Sequence, residues 1–261
     1  MPWLSKTIVL GLVLGTATAG GPGNVSSQTI VEHSSELRFQ LDLQVPSAAL
    51  DAFIPPGFTL NISQQGAAKD ANLRAIFIDR ITINGPDGPP VGRGSNRLVY
   101  LAAPVRGPAG ENVQLIIAGL TNDQSDVPGP YGVYLKATAH SFERSTSAFG
   151  EGPVIETQHW LFEAATGEHL EMHITFERGV ANKGNASDRK FYSAKDPQSY
   201  RITRQEQVLE ILKNVTTNPP DRVRAFSFRA GGGSYADLFD GTERVLSWDN
   251  ILWVNGPVLV P

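Results

Sequence analysis

The sequence predicts a mostly β chain, an all-β sandwich or barrel, on three observations. From residue 30 onward, short runs of strand-forming residues are separated by Gly, Pro, Asn and Asp clusters at the spacing such folds use. One of them, Leu37-Arg38-Phe39-Gln40-Leu41-Asp42-Leu43-Gln44-Val45, alternates almost without error over nine residues, as a half-buried antiparallel strand does. Ala164-Ala165-Thr166-Gly167 joins two further runs as a hairpin turn.

The first residues have the layout of a secretory signal. Lys6 is the positive end, Ile8 to Leu14 the apolar stretch and Ala17-Thr18-Ala19 the small-residue cleavage site. Residues 1–19 are therefore read as a signal peptide, 20–36 as a flexible N-terminal segment and 37–261 as a single domain. The apolar run is too short to span a bilayer, and no later run is long enough, so no membrane anchor is expected. Four Asn-x-Ser/Thr sequons, at Asn24, Asn61, Asn185 and Asn214, would be glycan acceptors in a eukaryotic host, and with the signal layout the expectation is a secreted or secretory-pathway protein. The chain has no cysteine, which excludes disulfides and thiolate chemistry, so stability must come from the core. A formal charge of −4 without a basic run argues against nucleic acid.

After the first strand, Pro46-Ser47 introduces a short helix, Ala48 to Phe53, which Pro55-Pro56-Gly57 stops. Strands follow at Asn72 to Thr82, Arg97 to Val105 and Val113 to Leu120. Gly129 to Gly132 then turns into a strand in which Tyr134, Lys136, Thr138 and His140 share one face and Val133, Leu135, Ala137 and Ala139 the other. The hairpin pairs Val154 to Glu163 with Glu168 to Arg178, setting Trp160 near Glu171 and Gln158 near His173. Gly179 to Lys195 is polar and reads as a surface loop. Thr203-Arg204-Gln205-Glu206 is a capping box before Val208, Leu209, Ile211 and Leu212, which predicts a helix over 203–214. Val223 to Arg229 is a late strand, Ala236 to Phe239 a short helical turn, and Val245 to Trp248 with Ile251 to Val254 supply late apolar contacts.

Two groups of residues offer chemistry. Lys136 is a nucleophile if its face looks into a cavity, because desolvation favours the neutral amine, and an ordinary surface lysine if that face is wet. His169, Glu171 and His173 stand at alternate positions of one strand, the pattern of either a wet face, a metal site or a proton-transfer pair, and the wet face is the simplest reading. No metal and no cofactor is called for. The chain lacks a Gly-x-Ser-x-Gly elbow, and Gly231-Gly232-Gly233 lacks the Lys-Ser/Thr of a phosphate loop.

The order of segments resembles that of the acetoacetate decarboxylase-like superfamily. The residues that carry the likeness are Phe53-Ile54-Pro55-Pro56-Gly57-Phe58, the strand Arg97 to Val105 before Gly107-Pro108-Ala109-Gly110, and the Gly/Pro turn leading to Lys136 and on to Arg144. The resemblance implies an antiparallel closed or nearly closed barrel with an internal cavity and one or two short helices. It also implies a lysine that forms a Schiff base beside a second cation, a pairing for which acetoacetate decarboxylase is the standard example. Lys136 matches one lysine, Ala137 stands at the place of its neighbour, and the turn contains no glutamate.

The resulting expectation is a decarboxylase-like carbon–carbon lyase acting on a small oxo acid. Lys136, Glu171, His173 and His140 are its candidate catalytic residues, and Tyr134, Arg97, Arg144 and Trp160 its candidate substrate-binding residues. A non-covalent acid–base isomerase or cyclase, and a glycosylated barrel that binds an apolar ligand, are the alternatives. A small molecule is the expected partner, and a homo-oligomer is left open.

Overall fold

The computed structural model describes residues 28–66, 68–129, 131–213 and 222–261. The expected signal segment, Asn24 and Asn214 lie outside the described residues. The elements in chain order are β1 (Thr29–Gln44), α1 (Ser47–Asp51), β2 (Thr59–Leu60), β3 (Leu73–Asn84), β4 (Asn96–Arg106), β5 (Asn112–Thr121), β6 (Tyr134–Ser147), β7 (Ile155–Ala164), β8 (His169–Glu177), β9 (Asn182–Ser193), β10 (Tyr200–Lys213), β11 (Val223–Gly231) and β12 (Arg244–Val260), with short 3₁₀ turns at Gln124–Asp126 and Gly233–Tyr235. No helix among the described residues is long and apolar enough to cross a membrane.

The strands form one large mixed sheet. Seven of them pair in a ring, β5–β9–β10–β12–β1–β3–β4 and back to β5. The β5–β9 pairing is parallel and the other six pairings of the ring are antiparallel. The remaining long strands extend from β5 as a second layer in the order β6–β7–β8–β11. Gly167, at φ +96°, makes the β7–β8 turn in a conformation an L side chain resists.

β1 shows how alternation builds these layers. Phe39, Leu41 and Leu43 are wholly buried in the core between the ring and the second layer, where Phe39 meets Phe176 at 6.2 Å and Phe77 meets Trp160 at 5.8 Å between ring centroids. Each such side chain contributes about 1.5–3 kcal/mol of burial. The opposite face, with Glu36, Arg38, Gln40 and Asp42, is turned inside the ring instead of into solvent. A smaller apolar cluster, including Ile76, Ile78, Leu98, Tyr100, Tyr131, Tyr134 and Phe191, fills part of that interior. Gly119 belongs to its wall: a Cβ there would stand 2.6 Å from the Tyr134 ring and 2.8 Å from the Val99 carbonyl oxygen.

Three sequence expectations are corrected. The helix over 203–214 is strand β10, hydrogen-bonded on both sides, with Ile202 opposite Leu259 and Val208 opposite Trp253. Pairing with two neighbours overrides the local capping signal, and the β-branched Ile202, Thr203, Val208 and Ile211 suit a strand. The loop over 179–195 contains β9, the strand that joins β5 to β10 and completes the ring. The segment 20–36 is strand from Thr29 onward, because β12 and β3 pair with it there. The hairpin register also differs by one residue: His159 faces His173 and Trp160 faces Met172.

Candidate active site

A cavity of about 350 Å³ lies inside the ring, and all seven ring strands line it. β1 supplies Arg38 and Gln40, β3 Arg74 and Ile76, β4 Tyr100, β5 Gln114, β9 Arg189 and Phe191, β10 Gln207 and Leu209, and β12 Asp249 and Ile251. Its size is at the lower end of small-molecule sites, about 300–1,000 Å³.

Most of the charge inside the ring is matched. Arg38 donates to Glu36 at 2.6 Å and to Gln205 at 2.9 Å, and Arg74 donates to Asp42 at 2.9 Å. Arg80, wholly buried, pairs with Glu32 and Glu36 and donates to the Asp126 carbonyl at 2.5 Å, so the ion network continues beyond the cavity. Burial by itself would raise the Glu36 carboxyl, but the guanidiniums of Arg38 and Arg80 hold it below the usual range.

Two charged groups of the cavity lining have no ion-pair partner among the described residues, Arg189 and Asp249. Arg189, at the rim of the cavity, is exposed and has neither an ion pair nor a hydrogen bond among the described residues; partial desolvation, with the charges of Arg38 and Arg74, lowers its proton affinity. Asp249 has no guanidinium bonded to it. Gln40 Nε2 donates to it at 3.5 Å and Ser247 Oγ at 3.2 Å. Burial first, and the neighbouring Asp42 second, push Asp249 up to about 7. Tyr100, buried on the same wall, is also raised by burial. Among the described residues the cavity thus brings together an unpaired guanidinium at its rim, Arg189, a carboxyl group pushed up to about 7, Asp249, and the buried phenol of Tyr100.

The sequence-predicted site residues do not meet here, except that Tyr134 packs in the adjoining apolar cluster with a buried hydroxyl that has no hydrogen-bond partner. Lys136 is exposed, two residues past Tyr134, so the desolvation that would activate its amine is missing. Among the described side chains no lysine is buried, and the one that lines the cavity, Lys190, reaches out to Glu111 at 3.8 Å and over the Tyr200 ring. His140 is exposed. Arg97 pairs with Asp79 at 2.9 Å and is 43% exposed.

Arg144 and Trp160 belong to a buried network between the layers. Arg144 donates to the wholly buried Glu156 at 2.8 and 3.0 Å, and Gln158 donates to Glu156 at 2.6 Å and accepts from Trp160 Nε1 at 2.9 Å. Asn250 extends this network to buried Glu210, which Arg222 and Arg178 pair. These residues lock the second layer to the ring.

Glu171 and His173 share the outer face of the second layer with His159. Glu171 accepts from His159 at 3.0 Å and is also bound by Arg229, which together lower its carboxyl. No group of three or more His, Cys, Asp or Glu among the described residues is placed to hold a metal ion. Asn61 donates to Asn112 at 3.1 Å, and Asn185 lies in β9. The residues that do meet, Arg38, Arg74, Tyr100, Arg189 and Asp249, were missed. Only Arg38 carries a signal in the sequence, on the charged face of β1; Arg74, Tyr100, Arg189 and Asp249 come from β3, β4, β9 and β12.

No protein-family model matches the chain, and no curated protein matches it. Solved structures do. The enduracididine biosynthesis enzyme MppR, complexed with the condensation product of pyruvate and imidazole 4-carboxaldehyde, superposes at a TM-score of 0.51 and 12% identity over 88% of this chain and 87% of that one. An acetoacetate decarboxylase-like enzyme from Sphingomonas wittichii RW1 gives 0.48 and 12% over 89% and 93%. The acetoacetate decarboxylase of Legionella pneumophila gives 0.48 and 11% over 94% and 93%.

Proposed function

Starting from the acetoacetate decarboxylase-like fold that this chain has, we propose that it is an acid–base enzyme acting on a small carboxylate metabolite inside the ring, without a Schiff base. The observation that carries this reading is the presence, on the lining of a single cavity, of a guanidinium that no carboxylate pairs, Arg189, and a carboxyl group that no guanidinium bonds, Asp249. Arg189 anchors the substrate carboxylate, and Arg38 and Arg74 add positive potential behind it. Asp249, pushed up to about 7 by burial and by the Asp42 charge, removes or returns a proton at carbon beside an oxo group. The phenol of Tyr100 and the nearby guanidiniums stabilise the enolate oxygen that forms. MppR, which binds a pyruvate-derived product, is a precedent for oxo-acid chemistry on this fold.

Incorporation of deuterium from solvent into 2-oxobutanoate, followed by NMR, tests this. The wild type accelerates exchange beside the oxo group, Asp249→Asn and Arg189→Met lose about 10²–10⁴-fold, and Lys136→Ala exchanges at the wild-type rate. Exchange that survives Asp249→Asn and disappears in Lys136→Ala would return the chemistry to the lysine.

A further inference from the structure

We propose that the outer face of the second layer carries a binding site for one divalent transition-metal ion, Cu(II) foremost, held by the imidazoles of His159 and His173 and separate from the ring cavity.

The β7–β8 register makes the pair. His159 and His173 stand directly opposite each other on adjacent strands, with ring centroids 5.9 Å apart and ring planes at 89°. Two imidazoles bound to one ion, each at about 2.0–2.1 Å, keep their centroids within roughly 6.5 Å of each other. These rings therefore close on a cation by side-chain rotation, without movement of the strands. They line one open hollow of about 560 Å³ together with Glu171 and Glu143. The triplet of alternate residues on one strand is not what meets: His169 lies opposite Glu163, and His159 takes its place beside His173.

Glu171 adds a second, independent support. Its carboxyl is held below the usual range, first by Arg229 and then by His159, so it is ionised at neutral pH and only accepts hydrogen bonds. The 3.0 Å bond from His159 Nε2 thus fixes the ring proton on that nitrogen and leaves the Nδ1 lone pair for a metal. Arg229 Nε donates to the other Glu171 oxygen at 2.8 Å and holds the carboxylate in place. A histidine oriented in this way by a fixed carboxylate is the usual outer shell of a metal ligand. The local charge agrees. Arg144, which also borders the hollow, is bonded to Glu156, and Arg229 to Glu171, whereas Glu143, opposite His159 on β6, has no partner among the described residues. The hollow keeps one unneutralised negative charge.

The donor set selects the ion. No group of three His, Cys, Asp or Glu among the described residues is placed to hold a metal, so the pair binds with water in the remaining positions. Nitrogen donors do not suit Ca²⁺ or Mg²⁺, which take oxygen, and the divalent series puts Cu(II) above Ni(II) and Zn(II) at such a site.

Titration of the tag-free full chain with Cu(II), followed by calorimetry and EPR, tests the inference. The wild type binds one equivalent, and its spectrum shows coupling to two imidazole nitrogens. Glu171→Gln weakens binding about 10–100-fold, His159→Gln and His173→Gln by at least about tenfold, and His140→Gln and His169→Gln bind as the wild type does. An affinity that survives loss of either His159 or His173, a wild-type spectrum with one coupled nitrogen or none, or a loss in His169→Gln as large as in His173→Gln overturns the site. An unchanged affinity in Glu171→Gln overturns the positioning role of the carboxylate.

Discussion

Asp42 and Asp249 are held by one amide: Gln40 Nε2 donates to both oxygens of Asp42, at 3.2 and 3.3 Å, and to Asp249 at 3.5 Å. Two carboxyl groups on adjacent strands of a buried wall cannot both be charged cheaply, and Arg74 bonds only to Asp42. Asp249 is therefore the member that keeps its proton into the neutral range.

This fixes the pH dependence of stability. The folded state holds the Asp249 proton up to about pH 7, whereas the unfolded chain releases it near the ordinary 3.8. Between those values unfolding releases a proton, so this group makes stability fall as pH rises, and the fall is complete above about 7. Asp249→Asn removes the contribution. Thermal unfolding of wild type and variant across this window should show their difference growing with pH, in favour of the variant.

Asp42 is the positioning residue of the pair. Asp42→Asn deletes the negative charge that helps to raise Asp249, so the limb of the pH–rate profile attributed to Asp249 should move to lower pH. A purely structural role for Asp42 would lower the rate or the folded fraction and leave the midpoint of the limb in place.

Arg80 is the most heavily committed charge inside the ring. Arg80→Met leaves Glu32 without its guanidinium partner and strips one from Glu36, both carboxyls buried. Urea denaturation should register a loss of about 3–5 kcal/mol. An equally stable variant would mean that the ion network is not structural.

The outer face of the second layer should be catalytically silent. His173→Ala and Glu171→Gln alter side chains on the surface opposite the interlayer core, and Lys136→Ala removes an exposed amine. All three should retain the wild-type exchange rate within about twofold, with stability changes within about 0.5 kcal/mol for Lys136→Ala.

Much of the fold was legible because strand alternation is local. The runs around β1, β3, β4, β5, β7 and β8 needed only their own residues to declare themselves, and Gly167 marked the hairpin. What was not legible depends on partners far away in sequence. Thr203 to Glu206 satisfies the rule for a helix start, yet β9 and β12 claim its backbone on both sides. The ring cavity is not legible in the sequence for a related reason: alternation separates two faces and does not say that a ring buries both. Glu36, Arg38, Gln40 and Asp42 are therefore indistinguishable, in sequence, from a solvated face. Lys136 drew attention because a lone lysine on a strand is conspicuous, whereas Asp249 gains its character only from Asp42, 207 positions away.

The most direct test is a ¹³C NMR titration of the aspartate carboxyl groups in the full chain. One resonance, absent in Asp249→Asn, should titrate near 7 and respond to 2-oxo-3-phenylpropanoate in the wild type but not in Arg189→Met. If every aspartate titrates below about 5, or if the Asp249 resonance ignores the ligand, the cavity is not the acid–base site described.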